Sequence, residues 1–146
     1  MGSLVEAIKD DKKRRAVVDD CVALIDAEVA DKGGLSGMGV KAAFKAVKSL
    51  RPGMIPMAMN HLLDDFAARV DPFWQECQAK GEDPRRFFER RKSDVANALL
   101  SITDDRAKKS DHGTLVKAYQ SLRPKAVEYI GDAMPRLADL IKKHAS

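Results

Sequence analysis

The amino-acid sequence predicts an all-α fold, a single-domain helical bundle of about six to seven helices. Three observations carry this prediction. Apolar residues recur along most of the chain at the i, i+3, i+4, i+7 spacing of one helix face. No segment alternates apolar and polar residues with the period of two that a half-buried strand requires. Hydrophobic residues make up 45% and charged residues 33% of the chain, as in a soluble globular protein.

The length predicts one domain over residues 1–146. A chain of 146 residues buries roughly 70% of its unfolded surface, so it needs neither metal nor disulfides for a core. Within this domain, two three-helix halves are expected at 12–70 and 84–144, joined by a bent connector at 71–83.

A repeated junction suggests that these halves are related. The sequence Ser49-Leu50-Arg51-Pro52 recurs as Ser121-Leu122-Arg123-Pro124, and an apolar stripe precedes each copy. Proline cannot donate a helix hydrogen bond, so each copy is expected to end one helix and begin the next. The alternative to a duplication is that any two amphipathic helices resemble each other.

Two helices are predicted in the N-terminal part. Ser3 and Glu6 have the spacing of a capping box, so a short helix is expected to begin there. An amphipathic helix follows the charged residues 9–15 and ends at Gly33-Gly34, because glycines commonly terminate helices in the left-handed conformation. Its predicted apolar face consists of Val17, Cys21, Leu24, Ile25 and Val29.

Glu28 lies at the edge of this apolar face. The first expectation is that its carboxylate extends to water, since an unpaired buried charge is costly. The alternative is a buried ion pair with Arg51 or Arg123.

The middle of the chain is predicted to contain two further helices. Residues 35–39 are expected to form a loop in which Ser36 caps the first of them. Pro52-Gly53 then turns the chain into a longer helix from Ile55. Asp71-Pro72 has the pattern of an N-cap followed by a first-turn proline, so we expect a bend there.

The C-terminal part repeats these signals. Asp83-Pro84 predicts a helix start, and Ser93-Asp94 offers a cap at which that helix is expected to break. After a loop at 110–113, the final helix is expected from Lys125 to about Lys143, with a kink at Pro135.

Several short motifs resemble a family of small bacterial all-helical proteins of unknown function. They are Gly34-Leu35-Ser36-Gly37, the following Lys41-Ala42-Ala43-Phe44-Lys45-Ala46, and Asp71-Pro72-Phe73-Trp74-Gln75. The resemblance implies a bacterial, cytosolic helical protein. It carries no activity and no catalytic residue to this chain.

The sequence contains no motif for catalysis or metal binding. His61 and Asp65 have an i, i+4 spacing, but they lie on the face opposite the apolar stripe of their helix, and His112 and His144 are distant in sequence. The glycine-rich stretch 33–39 lacks the Gly-Lys-Ser/Thr ending of a phosphate-binding loop. We therefore predict no metal, no cofactor and no enzymatic activity.

An apolar ligand site is one candidate function. Methionines are flexible and fill irregular walls, and pockets form between the helices of bundles. The candidate ligand- or partner-binding residues are Met54, Met57, Met59, Trp74 and Met134. The alternative is that these side chains belong to an ordinary core.

Two basic clusters could form a patch for phosphates. The candidate residues are Lys12, Lys13, Arg14, Arg15, Arg85, Arg86 and Arg90. Acidic residues interleave with them, and the net charge is only +4, so solvated helix faces are the alternative.

The first functional hypothesis is a non-enzymatic helical interaction module that binds a protein partner or itself. The alternative is a carrier or sensor of a small apolar ligand such as a fatty acid, and the third is a weak nucleic-acid binder. The sequence contains no run of about 20 apolar residues, so no membrane span is predicted. Two distant cysteines, Cys21 and Cys77, without a signal sequence predict a cytoplasmic protein with free thiols.

Overall fold

The computed structural model describes residues 3–32, 34–50, 53–111 and 113–145, without the side chains of residues 34–36, 47 and 50. The all-α prediction is confirmed, since every regular element of the described residues is helical. The helices are α1 (Leu4–Ala7), α2 (Asp11–Asp31), α3 (Gly34–Leu50), α4 (Met54–Lys80), α5 (Pro84–Arg90), α6 (Lys92–Lys109), α7 (Gly113–Leu122), a 3-10 turn (Arg123–Lys125), α8 (Ala126–Asp132) and α9 (Met134–Ala145).

Helices α2, α4, α6, α8 and α9 form a closed ring. Helix α2 packs on α4, α4 on α6 and α6 on α8, and α9 completes the ring by contacting both α8 and α2. Helices α3 and α7 pack against each other, and α3 also contacts the walls α2 and α4. Helices α1 and α5 lie outside this ring, and each of them packs against both α4 and α9. We call α3, α7 and the 3-10 turn at 123–125 the lid.

Each copy of the repeated sequence begins at the end of one helix of the lid. Each lid helix contains the Ser-Leu that begins one copy, and these helices are direct neighbours. Arg51-Pro52, the end of the first copy, lies outside the described residues. The duplication into halves 12–70 and 84–144, within a single domain, stays a prediction.

The expected loop at 35–39 is wrong, because α3 already begins at Gly34. Gly37 explains why a helix can pass here. A Cβ atom at Gly37 would lie 2.6 Å from the carbonyl carbon and oxygen of Lys32, so only glycine allows α3 to approach the end of α2 so closely. The glycines that suggested a loop instead permit close packing at this position.

The helix start expected at Asp71-Pro72 is also wrong. Helix α4 continues through Pro72 and ends at Lys80, where Gly81 adopts the left-handed conformation with φ 61°. The Asp71 carboxylate caps another helix, accepting a hydrogen bond of 2.8 Å from the backbone N–H of Leu4. Asp71 therefore caps the start of α1 and does not begin a new helix within α4.

The predictions for the C-terminal part agree better with the structure. Asp83 caps α5 by accepting from the N–H of Arg86 at 3.2 Å, as predicted. The expected break occurs at Arg91, slightly before Ser93-Asp94, where the guanidinium contacts Glu76 and Asp94. The final helix is divided at Ala133, so that Pro135 lies in the first turn of α9.

The tightly packed part of the core lies where α5, α6 and α9 meet. The side chains that are 0% exposed are Phe87, Phe88, Val95, Ala96, Met134 and Ala138. The two phenylalanine rings pack edge to face, with centroids 5.6 Å apart.

Candidate functional site: a central apolar cavity

A cavity of about 510 Å³ lies inside the ring of helices. Its volume falls within the roughly 300–1,000 Å³ typical of small-molecule sites. Of the 37 described residues that line it, only seven carry an oxygen- or nitrogen-bearing side chain, so the wall is almost wholly apolar.

The walls are made by the faces that the sequence predicted to point inward. Every member of the predicted apolar face of α2 lines the cavity, including Leu24, Ile25 and Val29. Phe66 and Ile130 line it from α4 and α8. Except for Val17, which is buried, these side chains are only partly buried, because they border a space instead of a close-packed neighbour.

Three of the predicted ligand-binding residues lie at this cavity. Met54 and Met59 line it from α4, and Met134 lines it from the start of α9. Met57 is half-buried on α4, and Trp74 is buried in the core at 4% exposure; neither belongs to the described lining. That any of these five residues contacts a ligand stays a prediction.

A hydrogen-bonded cluster borders the cavity between α6 and the lid. Tyr119 donates to the Asp104 carboxylate at 2.5 Å, and Arg123 donates to both oxygens of Asp104 at 2.8 and 3.0 Å. Thr103 lies 2.7 Å from the Tyr119 hydroxyl. Thr103, Tyr119 and Arg123 all line the cavity. This cluster attaches the lid to α6 and places polar groups at the largely apolar surface of the cavity.

The Asp104 and Tyr119 pKa values reflect this arrangement. The bonds from Arg123 and then Tyr119 lower the pKa of Asp104 below its ordinary value, because they favour the carboxylate. Burial, followed by the bond to Asp104, raises the pKa of Tyr119, which therefore keeps its proton and remains a donor at neutral pH.

A charged margin borders the cavity at the end of α2. Arg136 donates to Glu28 and, at 2.7 Å, to Asp31, while Lys32 lies 3.0 Å from Asp132. The Glu28 and Lys32 side chains are each 14% exposed and line the cavity. The expectation that Glu28 extends to water is therefore wrong, and its partners are Arg136 from α9 and, at 3.8 Å, Lys32.

Two titratable groups, Cys21 and His144, line the cavity near the middle of α2. His144 bonds to the Asp20 carboxylate at 2.6 Å, and Lys143 bonds to it at 2.9 Å. These bonds, that of Lys143 first, lower the pKa of Asp20. Burial, and then Asp20, raises the pKa of the Cys21 thiol to about 11, so it is protonated and weakly nucleophilic at neutral pH.

The predicted basic residues are distributed over two helices. Arg14 bonds to Asn60 and Asp64 of α4, Arg85 bonds to Asp139 of α9, and Arg90 bonds to Glu82. The other members are exposed: Lys12, Lys13, Arg15 and Arg86. Because three arginines are held in ion pairs, fewer cations remain for phosphates than the sequence indicated.

Histidines and carboxylates do not gather into a metal site in the described part of the chain. His61 is exposed, and its neighbour Asp65 pairs with Arg106 at 3.2 Å. None of the helices within the described residues is both long and apolar enough to cross a bilayer.

Sequence reasoning missed most of the polar groups at the cavity. In the sequence, Arg123 lies at a predicted helix end and is an alternative partner of Glu28. Its partner Asp104 lies 19 residues earlier on α6, and Lys32 meets Asp132 across 100 residues. No short motif links such distant residues, so only the packing of the helices could reveal them.

The resemblance noted in the sequence is confirmed by a family comparison. The model of a family of unknown function, DUF6918, matches residues 4–145. The chain belongs to the DUF6918 family. Neither the curated proteins nor the solved structures gave a match. The function of this DUF6918 chain must therefore be argued from its own cavity and surfaces.

Proposed function

We propose that this protein binds a long-chain amphiphile such as a fatty acid, with the acyl chain inside the central cavity. The observation that supports it is the apolar cavity of about 510 Å³ between the helices. Water gains few hydrogen bonds in such a space, whereas each buried methylene group contributes about 0.8 kcal/mol.

The length of the cavity suits an acyl chain. Its lining on α4 runs from Met54 to Val70, which corresponds to about 24 Å along a helix axis. One leaflet of a bilayer accommodates its acyl chains within about 15 Å, half of the hydrocarbon core. A single extended chain would therefore fit along α4, with room for a polar head at a margin.

Two margins offer cations to such a head group. Arg123 lies at the lid and Lys32 at the end of α2, and both line the cavity. Each is already engaged with a carboxylate, Asp104 and Asp132 respectively. A ligand carboxylate would share one of these cations, and the Tyr119 hydroxyl could donate to it.

The proposal is tested by titrating a fluorescent polyene fatty acid into the wild type and two tryptophan variants. Ala126→Trp places a large ring at the cavity wall, whereas Ala79→Trp places the same ring at an exposed position of α4 outside the lining. We expect Ala126→Trp to bind at least about tenfold more weakly, a loss of about two buried methylene groups. We expect Ala79→Trp to bind as the wild type does.

A series of unlabelled fatty acids used as competitors sharpens this test. Affinity should rise by about tenfold for each two carbons added, until the chain fills the cavity. The proposal is wrong if the wild type does not bind the probe, or if both variants bind it equally well while their circular dichroism is unchanged.

The interaction module that the sequence favours is a second candidate. Val5 and Met38 are the large hydrophobic side chains exposed among the described residues, and Met38 is 67% exposed. The predicted apolar faces mostly border the cavity, which leaves little apolar surface for a protein partner. Weak nucleic-acid binding stays the third candidate. Bacterial origin and a cytoplasmic location stay predictions.

A further inference from the structure

The lid differs from the rest of the chain in its charge. Residues 34–50 and 113–125 contain six cations, Lys41, Lys45, Lys48, Lys117, Arg123 and Lys125, but none of the 22 acidic residues of the chain. Since the whole chain has a net charge of +4, all its excess positive charge resides on the lid. A surface so composed attracts anionic partners.

The cations of α3 share one exposed face with a large apolar side chain. Met38, Lys41, Lys45 and Lys48 fall within about 80° around the helix axis. All four are exposed. The small exposed residues Ala42 and Ser49 border this face on one side, so that side of α3 offers little steric hindrance to a flat partner.

Three lysines of the lid are available to a partner. Lys48 bonds to Asp26 of α2 at 3.1 Å, and Arg123 is held by Asp104. Lys41, Lys45 and Lys117, by contrast, have no carboxylate within ion-pair distance among the residues that the structure describes. Each is exposed on the outer side of its helix.

Another face of the lid borders the cavity. Val40 and Phe44 line it from α3, and Leu115, Tyr119 and Leu122 line it from α7. The same pair of helices thus separates the cavity from the cationic surface.

We propose that the lid docks on the surface of a membrane that contains anionic lipids. Lys41, Lys45 and Lys117 would meet the lipid phosphates, and the Met38 thioether would enter the boundary between head groups and acyl chains. A nucleic acid fits less well, because single strands also need exposed aromatic side chains for stacking, and Phe44 faces the cavity. Docking would bring the cavity next to a source of amphiphiles, although the surface stands independently of any cavity ligand.

The experiment is vesicle flotation of the full chain. One set of vesicles contains phosphatidylcholine mixed with phosphatidylglycerol, and the other contains phosphatidylcholine alone. We expect binding only to the anionic vesicles, and we expect salt to weaken it. The triple variant Lys41→Gln, Lys45→Gln, Lys117→Gln should lower the partition constant by about 100-fold, since each cation contributes to binding close to the surface.

A matched variant removes the same charge elsewhere. Lys12→Gln, Arg15→Gln, Arg86→Gln changes three exposed cations outside the lid, and we expect it to bind within about twofold of the wild type. Met38→Ser, which leaves the charge unchanged, should weaken binding by about tenfold because its side chain is buried on docking.

Three results would overturn the proposal. The first is absence of binding to anionic vesicles, and the second is an equal loss in both triple variants, which would indicate unspecific attraction. The third is loss of oligonucleotide binding in the lid variant with unchanged vesicle binding, which would indicate a nucleic-acid surface. Ala126→Trp should bind vesicles as the wild type does, so a failure of the cavity proposal is distinguishable from a failure of this one.

Discussion

The region around α5 and α9 and the region beneath the lid are built from similar sequence patterns but pack differently. In the first, Phe87, Phe88 and Ala138 are 0% exposed. In the second, α7 has no buried residue, although Leu115, Tyr119 and Leu122 form a regular apolar stripe. The same periodicity thus leads to a filled interior in one region and to a cavity wall in the other.

This difference shows what an apolar stripe specifies. The stripe determines which face of a helix turns inward, because that face leaves water. It does not determine whether the opposing helices come close enough to fill the interior. In this chain, the polar cluster around Asp104 and the close approach of α3 to Lys32 hold the lid in place while the space behind it remains open.

The largest expected effect is on stability and compares one phenylalanine from each region. Phe88→Ala should lower the free energy of unfolding by about 3–5 kcal/mol, because it opens a void in the filled core. Phe44→Ala should cost less than about 2 kcal/mol, since its ring is half-buried and already borders the cavity. Urea denaturation measures both values, and similar losses would mean that the lid region is as tightly packed as the core.

The second prediction compares two glycines of α3. Gly37→Ala should destabilise the protein by about 1–3 kcal/mol, because its Cβ would overlap the backbone of Lys32. Gly39→Ala meets nothing within 4 Å and should stabilise the helix by about 0.5–1 kcal/mol. Thermal denaturation should therefore shift in opposite directions. A stabilising Gly37→Ala would contradict the close approach of α3 to α2.

The smallest expected effect concerns the attachment of the lid. The folded-state pKa of Asp104 is lowered, so its contribution to stability is present above the ordinary value of 3.8 and is lost as the pH falls through the folded pKa. The wild type should lose more stability than Asp104→Asn between about pH 5 and pH 3, by less than about 1 kcal/mol for this partly exposed pair.

The control for this prediction is Asp105→Asn. Asp105 pairs with Lys109 within α6 at 3.2 Å and does not hold the lid. Urea denaturation across this pH range should show an acid dependence for Asp105→Asn that is closer to that of the wild type. An identical profile for both variants would mean that the Asp104 cluster does not stabilise the attachment of α7.

Much of the fold could be predicted because the signals for it are local. The cap at Asp83 and the division of the last helix near Pro135 depend only on neighbouring residues. The predictions failed at residues 35–39 and at Asp71, where a contact with another helix overrides the local preference. Glycine and aspartate have both local and long-range uses, and the sequence alone does not distinguish them.

The candidate site could be predicted only in part. Met54, Met59 and Met134 were identified because flexible apolar side chains suit a pocket wall, and they lie at the cavity. Trp74 has the same apolar character but packs into the core. The size of the cavity depends on how far apart α2, α4 and α9 are held, and that distance follows from side-chain packing across the whole ring.

Hydrogen exchange measured with and without a long-chain fatty acid tests the central claim most directly. Without ligand, amides of residues 34–50 and 113–122 should exchange faster than those of residues 84–100, because the lid has few buried contacts. Added fatty acid should slow exchange in the lid and leave residues 84–100 unchanged. Lid amides that exchange as slowly as those of the core, with no response to the fatty acid, would contradict a hollow bundle that binds a ligand behind the lid.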